Sequence, residues 1–349
     1  MKGTVRQEML GKEGLVILDT IRRLNRRNAV ENLLRLVNKT HPADIAWVFR
    51  HLNPVERQNV FNIIAQTELV GEFLSELDRA IMLELVEDLT PKFMAAVVKD
   101  MASDDAADLI DALPEDVANE IRHLMARVDR EEVDDLLQYH PESAGGLMSP
   151  DFMAFDEEMS VGDAISKVQE RSAEMEMAFY LYIVREGELL SGVVSLRELL
   201  MHPPYRLLKN IMNPKVIAVT TDTDQEEVAH VVSQYNFLAV PVVDATNKLV
   251  GIVTVDDIID VIRKEATEDF LQMAGAGRDH EILLKSTVDN ALTRAPWLFA
   301  SWLGGVLSIF IINFFHQELE KMMVLASFIP IIMGMGGNIA TQSSTIVVR

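Results

Sequence analysis

The chain has 349 residues, 49% of them hydrophobic and 25% charged, with a formal net charge of −22 and no cysteine. That length exceeds one typical domain, and that composition is globular rather than disordered. Without cysteine there is no disulfide, thiolate metal site or thiol nucleophile, and so much negative charge repels phosphate backbones, leaving cations rather than nucleic acid as the expected partners.

The first 30 residues are rich in Arg and Lys, but the apolar run Leu15–Leu18 is too short for a signal-peptide core. From about Val30 to Pro141 the pattern is one of short amphipathic helices punctuated by turns at Leu52-Asn-Pro54, Leu89-Thr-Pro91, Leu113-Pro114 and His140-Pro141. Apolar residues recur at helical spacing, as in Leu109, Ala112 and Leu113. The expected architecture over residues 1–140 is an all-α superhelix of stacked helix pairs. On it, Asp104 and Asp108 form an i, i+4 acidic pair, with Asp105 and Asp111 beside it.

The next region repeats itself. Leu147-Met-Ser-Pro150 recurs as Ile211-Met-Asn-Pro214, and Gly192-Val-Val-Ser-Leu-Arg-Glu-Leu-Leu200 recurs as Gly251-Ile-Val-Thr-Val-Asp-Asp-Ile-Ile259. Each copy, over 141–203 and 204–262, has a helix followed by β-rich runs and needs its partner to bury an exposed face. This resembles a tandem pair of cystathionine-β-synthase (CBS) domains. The resemblance implies a βαββα fold for each copy and an adenine-nucleotide cleft, with Tyr180, Arg197, Glu198, Ile217 and Phe237 at the contact positions. Phe237 or Tyr180 could cover a base, Glu198 could accept ribose hydroxyls and Arg197 could pair with phosphates. Two plainer readings stay open: an aromatic in a β-rich run is more often core, and Arg-Glu at a helix start is often a capping or surface pair. No glycine-rich phosphate loop or catalytic constellation is present, so ATP would be sensed rather than consumed and the chain is not expected to be an enzyme.

The second copy runs on as Asp256-Asp-Ile-Ile-Asp-Val-Ile-Arg-Lys-Glu-Ala-Thr-Glu-Asp-Phe270, opening a connecting helix expected over 263–294. Asp257 and Asp260 lie one turn apart, and Glu265, Glu268 and Asp269 form another such set. A single acidic run is usually a solvated face, but here acids occupy the helical body, the repeats and the connector together. Two carboxylates 4 Å apart repel by about 4 kcal/mol at an effective dielectric of 20, so such surfaces approach with cations between them. Oxygen-only ligands suit Mg²⁺ or Ca²⁺; no HExxH or EF-hand loop is present, and the eight histidines are scattered and read as structural or solvated.

Two uncharged spans follow, 295–315 and 322–348, joined by His316–Lys321. The first would reach roughly 31 Å as a helix, the thickness of a bilayer core. The second carries Pro330, Gly334, Gly336 and Gly337, which predicts a bent or broken helix. A transmembrane hairpin is expected, with Lys285, Arg294 and Arg349 placing both outer ends, and the acidic body, in the cytoplasm. Ser301 and Gly305 suit close helix packing, whereas Asn338, Thr341, Gln342, Ser343 and Ser344 call for a polar cavity.

The order of modules, ending in Pro330-Ile-Ile-Met-Gly-Met-Gly-Gly-Asn-Ile-Ala-Thr-Gln-Ser-Ser344, resembles the MgtE family of magnesium channels or transporters. The resemblance implies a homodimer, five spans per subunit in the inner cell membrane, and cytosolic acids that bind Mg²⁺ and close a pore. Carried over by position, the regulatory ligands are Asp104, Asp108, the backbone of Gly146, Glu226, Asp257, Asp260, Glu265, Glu268 and Asp269. This sequence has Ala340 where the family usually has Gly, Asn236 where an acid is common, and Glu198 for an Asp. With two spans before Arg349, it is expected to be part of a longer protein. The expected function is Mg²⁺ transport gated by cytosolic Mg²⁺, with ATP modulation; the alternative is a membrane-tethered CBS nucleotide sensor that regulates a partner and conducts nothing.

Overall fold

The computed structural model describes residues 2–171, 179–186, 188–273, 287–317, 324 and 327–347. The chain forms two compact units, Met1–Ile258 and Ile259–Arg349.

The first unit opens with ten helices: α1 (Lys2–Arg26), α2 (Val30–Val37), α3 (Pro42–Phe49), α4 (Pro54–Ile64), α5 (Val70–Ser75), α6 (Arg79–Val86), α7 (Pro91–Lys99), α8 (Ser103–Ala112), α9 (Glu115–Leu124) and α10 (Arg127–Leu136). The prolines that punctuate the sequence sit at the first turns of α3, α4 and α7, where a missing N–H costs nothing. The residue before each supplies the cap: His41 Nδ1 accepts from Ala43, Thr90 Oγ1 from Phe93, and Asn53 forms a reciprocal capping box with Glu56. Helices pack on the next but one, α2 on α4, α3 on α5, α4 on α6, α5 on α7, α7 on α9 and α8 on α10, which is how a superhelical stack propagates. Phe49, Phe61 and Phe73 are fully buried at its centre, Phe49 meeting Phe73 edge-on at 4.7 Å between centroids.

After a short turn of helix, α11 (Ala144–Leu147), come two like motifs. The first is β1 (Ala154–Asp156), α12 (Val161–Arg171), β2 (Tyr180–Arg185), β3 (Leu189–Ser195) and α13 (Leu196–Met201); the second is β4 (Val219–Thr220), α14 (Gln225–Tyr235), β5 (Ala239–Val243), β6 (Leu249–Thr254) and α15 (Val255–Met273). Each is βαββα, with the first strand parallel and the last antiparallel to the middle one. Even the irregularities match: the register shifts between Ile183 and Val184 in one sheet and between Val242 and Val243 in the other.

The repeated entry and exit motifs have one physical explanation, reciprocal exchange. Ser149 from the first entry exchanges two backbone hydrogen bonds with Ile252 of β6, and Asn213 from the second entry does the same with Val193 of β3. The methionine before each seats on the partner's glycine: a Cβ on Gly251 would meet Met148 Sδ at 2.7 Å, and one on Gly192 would collide with Met212. Tyr182, Leu249 and Ile252 are buried together where side chains of both sheets meet.

In the second unit, α16 (Thr287–Phe314) contains Arg294–Phe314, a 21-residue stretch of mean hydropathy 1.8 that is long and apolar enough to cross a membrane. Among the described residues it alone passes that test, so the expected two-span hairpin is supported for one span. The last helix, α17 (Ile329–Val347), is continuous rather than broken. Pro330 falls in its first turn, where it disturbs no helical hydrogen bond, and the five polar side chains from Asn338 onwards dilute its apolar character. Apart from its own helix backbone, no atom of the described residues lies within 4 Å of a Cβ placed on Gly334, Gly336 or Gly337. The expected connecting helix over 263–294 falls partly, at 274–286, outside the described residues, as does the start of the expected second span.

Candidate functional site

Acids open two helices of the first unit. Asp104 and Asp105 stand in the first turn of α8 and Asp256 and Asp257 in the first turn of α15, where a helix's free N–H groups and dipole favour carboxylates. Local preference therefore explains each pair singly; tertiary packing sets the pairs against one another. Burial raises the Asp105 carboxyl to about 7, with Asp104, Asp257 and Asp108 adding to the rise. Burial likewise raises Asp257 to about 7, opposed by the hydrogen bond from Thr254 Oγ1 and reinforced by Asp104 and Asp256. Asp104 is raised by burial and by Asp151 and Asp256, and Asp151 by burial. For Asp104, Asp105 and Asp257, burial and like charge push the same way.

One oxygen, Asp104 Oδ1, is buried with no hydrogen-bond partner among the described residues. An all-oxygen donor set with an orphaned carboxylate oxygen fits a hard divalent ion. The carboxylates are within each other's field but not drawn into a shell: among the described residues no three His, Cys, Asp or Glu side chains converge closely enough to hold a metal.

Of the sequence-derived metal candidates, Asp104, Asp108 and Asp257 belong to this junction. Gly146 lies in α11, its N–H directed to Ser143, and a Cβ there would collide with the His140 carbonyl and Pro141. Glu226 is exposed in the first turn of α14, behind the Asp224 cap. Asp260, Glu265, Glu268 and Asp269 lie along α15 in the second unit, Asp260 paired with Arg263 at 3.2 Å. Three contributors were missed as ligands: Asp105, Asp151 and Asp256. Asp111, next to them in sequence, forms instead an exposed pair with Arg79.

The repeat relationship carries a second pattern. Asp151 follows Pro150 as Lys215 follows Pro214, and Asp256-Asp257 occupy the exit positions that Arg197-Glu198 hold in the first copy. Two equivalent corners of the pair thus have opposite charge. The basic one holds two of the nucleotide candidates, Arg197 and Glu198. Arg197 is exposed, while Glu198 closes a capping box with Ser195, so the plain capping reading holds for it. Phe237 stacks on Tyr235 at 5.5 Å across Asn236, whose left-handed conformation (φ 54) ends α14; this suits Asn, which tolerates that conformation as acids and branched residues do less readily. Ile217 is half-buried just before β4. Tyr180 lines a narrow cavity between the sheets with Phe152, Phe179, Tyr182 and Ile252. The Tyr182 hydroxyl is buried there with no partner among the described residues, and burial pushes its pKa well above the usual phenol range.

Residues 40–142 match the MgtE intracellular N domain family, and 144–204 and 208–264 each match the CBS domain family. The chain is 35% identical over 322 residues to the magnesium transporter MgtE of Thermus thermophilus, covering 91% of this chain and 71% of that protein. It is 32% identical over 326 residues to the magnesium transporter MgtE of Bacillus subtilis, covering 93% and 72%. A crystal structure of the cytosolic domain of the Mg²⁺ channel MgtE in complex with ATP superposes with a TM-score of 0.63 at 34% identity, over 71% of this chain and 99% of that one. On these matches, the chain belongs to the MgtE family of magnesium transporters.

Proposed function

We propose that this protein carries Mg²⁺ across the membrane under the control of cytosolic Mg²⁺ held between its helical domain and its CBS pair. The observation that supports this is the junction at which burial raises Asp104, Asp105 and Asp257, with Asp108, Asp151 and Asp256 at its more exposed edge. Asp104, Asp105 and Asp257 are costly to ionise together, and a divalent ion removes that cost. Asp104, Asp108 and Asp257 would hold the ion, which supplies positive charge to the raised carboxylates. Because Mg²⁺ binds the closed junction better than an open one, it shifts the population toward the compact form. Gly146, Glu226, Asp260, Glu265, Glu268 and Asp269 extend the ligand set in this reading, along the connector toward the membrane-embedded part. The protein acts as a homodimer, multi-pass in the bilayer, with the N-terminal domains in the cytosol. Transport, not enzymatic turnover, is its activity, and family membership favours it over the tethered-sensor alternative.

ATP enters as a modulator. The ATP complex of a relative, together with Arg197 and Lys215 at one corner of the pair, supports a nucleotide there, with Phe237, Tyr180 and Ile217 around the base and Glu198 near the ribose. Limited trypsin digestion of the chain in lipid, with millimolar Mg²⁺ or with chelator, tests the gating reading. Protection of sites between 100 and 270 by Mg²⁺ is expected; an unchanged cleavage pattern rejects a Mg²⁺-closed junction.

A further inference from the structure

The first 39 residues invert the charge of the rest: nine Lys or Arg against four Asp or Glu give +5, leaving −27 for the other 310 residues. The side of α1 that meets the helical stack uses its charge internally: Arg22 donates to the His51 carbonyl at 2.6 Å and faces Glu56 at 3.6 Å. The outward side does not. Arg23 and Arg27 at the end of α1, with Arg35 on α2 and Lys39 after it, are all exposed and make no side-chain hydrogen bond or ion pair with a described residue, and the same holds for Arg26 at the edge of that side, next to Asn53 and Glu56 of α4. Stabilisation of the α1 C-terminus accounts at most for Arg23 and Arg26, which lie in its last turn. Arg35 has the same role in the last turn of α2, which leaves Arg27 and Lys39 without a structural task.

Apolar side chains flank these cations. Val16 (65% exposed) lies on the same outward side of α1 as Arg23 and Arg27, Leu15 (54%) lies at its edge in line with Arg26, and Val30 is exposed at the start of α2, with the acids Asp19 and Glu31 exposed among them. A helix face with exposed Leu and Val at one end and clustered Arg at the other has the make-up of a segment that lies on an anionic bilayer. The net negative charge of the remaining chain disfavours a polynucleotide occupant. A chain with its own membrane span, by contrast, keeps a lipid surface permanently at hand, which raises the effective concentration of that partner above any soluble one.

We propose that the outward face of α1 and α2, with Arg23, Arg26, Arg27, Arg35 and Lys39, docks on anionic phospholipid headgroups of the membrane in which the protein resides. The proposal rests on the membrane location read above. Each basic residue near an anionic surface contributes about fivefold in affinity, so four substitutions reduce docking on the order of several hundredfold.

The test uses the full chain, whose lack of cysteine permits a single label. Asn32→Cys, exposed on α2, carries an environment-sensitive fluorophore, and the chain is reconstituted in vesicles of phosphatidylcholine alone or mixed with phosphatidylglycerol, at fixed free Mg²⁺. Alkaline extraction of the same vesicles reads insertion separately, so a failure to insert is distinguished from a failure to dock. A blue shift with quenching by lipid-borne quenchers is expected only in the mixed vesicles. It is reversed by high salt, lost in the Arg23→Gln/Arg26→Gln/Arg27→Gln/Arg35→Gln variant, and not produced by soluble glycerol phosphate. Equal signals in both lipids, a signal that follows protein density rather than lipid charge, or one indifferent to the four substitutions overturns the proposal.

Discussion

Asp257, at the exit of the second CBS repeat, helps hold the carboxyl of Asp105 in the helical domain up to about 7. Two regions far apart in sequence thus share one electrostatic penalty. Raising a carboxyl from 3.8 to about 7 corresponds to a cost on the order of 4 kcal/mol for full ionisation at neutral pH. That is a large share of the stability of any one domain.

Neutralising that penalty by mutation should mimic the ion. In the absence of Mg²⁺ at pH 8, Asp105→Asn and Asp257→Asn are each expected to raise the thermal midpoint by about 2–5 °C, and to reduce the further rise on adding Mg²⁺. Differential scanning calorimetry checks both. A lower midpoint without Mg²⁺ would show that these carboxylates are satisfied rather than repelled.

The same shifts fix a pH dependence. Both folded values lie above the unfolded one, so the folded state binds more protons between about pH 4 and pH 7. Stability from these groups is complete below about pH 4 and is lost as pH rises through 7. Without Mg²⁺ the midpoint should fall from pH 5 to pH 8, and saturating Mg²⁺ should flatten that fall. Because the ion displaces protons, Mg²⁺ binding near pH 6.5 should release protons, measurable as heats that vary with the ionisation enthalpy of the buffer.

At the basic corner, Arg197→Ala and Lys215→Ala are each expected to weaken ATP binding about 10- to 100-fold, the worth of a charge-assisted hydrogen bond, while leaving the Mg²⁺-dependent rise in midpoint intact. Isothermal titration with ATP reads the first effect. Unchanged affinity in both variants would move the nucleotide elsewhere.

The buried hydroxyl of Tyr182 has no partner among the described residues. Tyr182→Phe should therefore be neutral or stabilising by about 1 kcal/mol in the nucleotide-free protein, as read by chemical denaturation. A loss of 2 kcal/mol or more would reveal a partner for that oxygen.

Much of this was legible in the sequence because it was periodic. The doubled Met-x-Pro and Gly-x-Val motifs marked the tandem fold, and the structure gives their reason: Met148 and Met212 each need a glycine on the opposite repeat. Proline before a helical run marked the starts of α4 and α7. What stayed hidden depends on packing across long separations. Asp151 looks like an ordinary loop acid until the chain brings it to Asp104. Its one visible signal was the lysine at the matching position of the second copy. Glycine content misled at α17, where Gly334, Gly336 and Gly337 lie within a continuous helix, because neighbours rather than glycine decide whether a helix breaks.

The most direct test measures the distance across the acidic junction. Glu120→Cys on α9 and Ser233→Cys on α14 are exposed positions in an otherwise cysteine-free chain, and spin labels there, diluted with unlabelled protein, report how the helical domain sits against the CBS pair. With millimolar Mg²⁺ a single narrow distance distribution is expected. Chelation should broaden it toward longer distances, and Asp104→Ala/Asp257→Ala should remove the response. One unchanging distribution with Mg²⁺, with chelator and in the double variant would contradict the account.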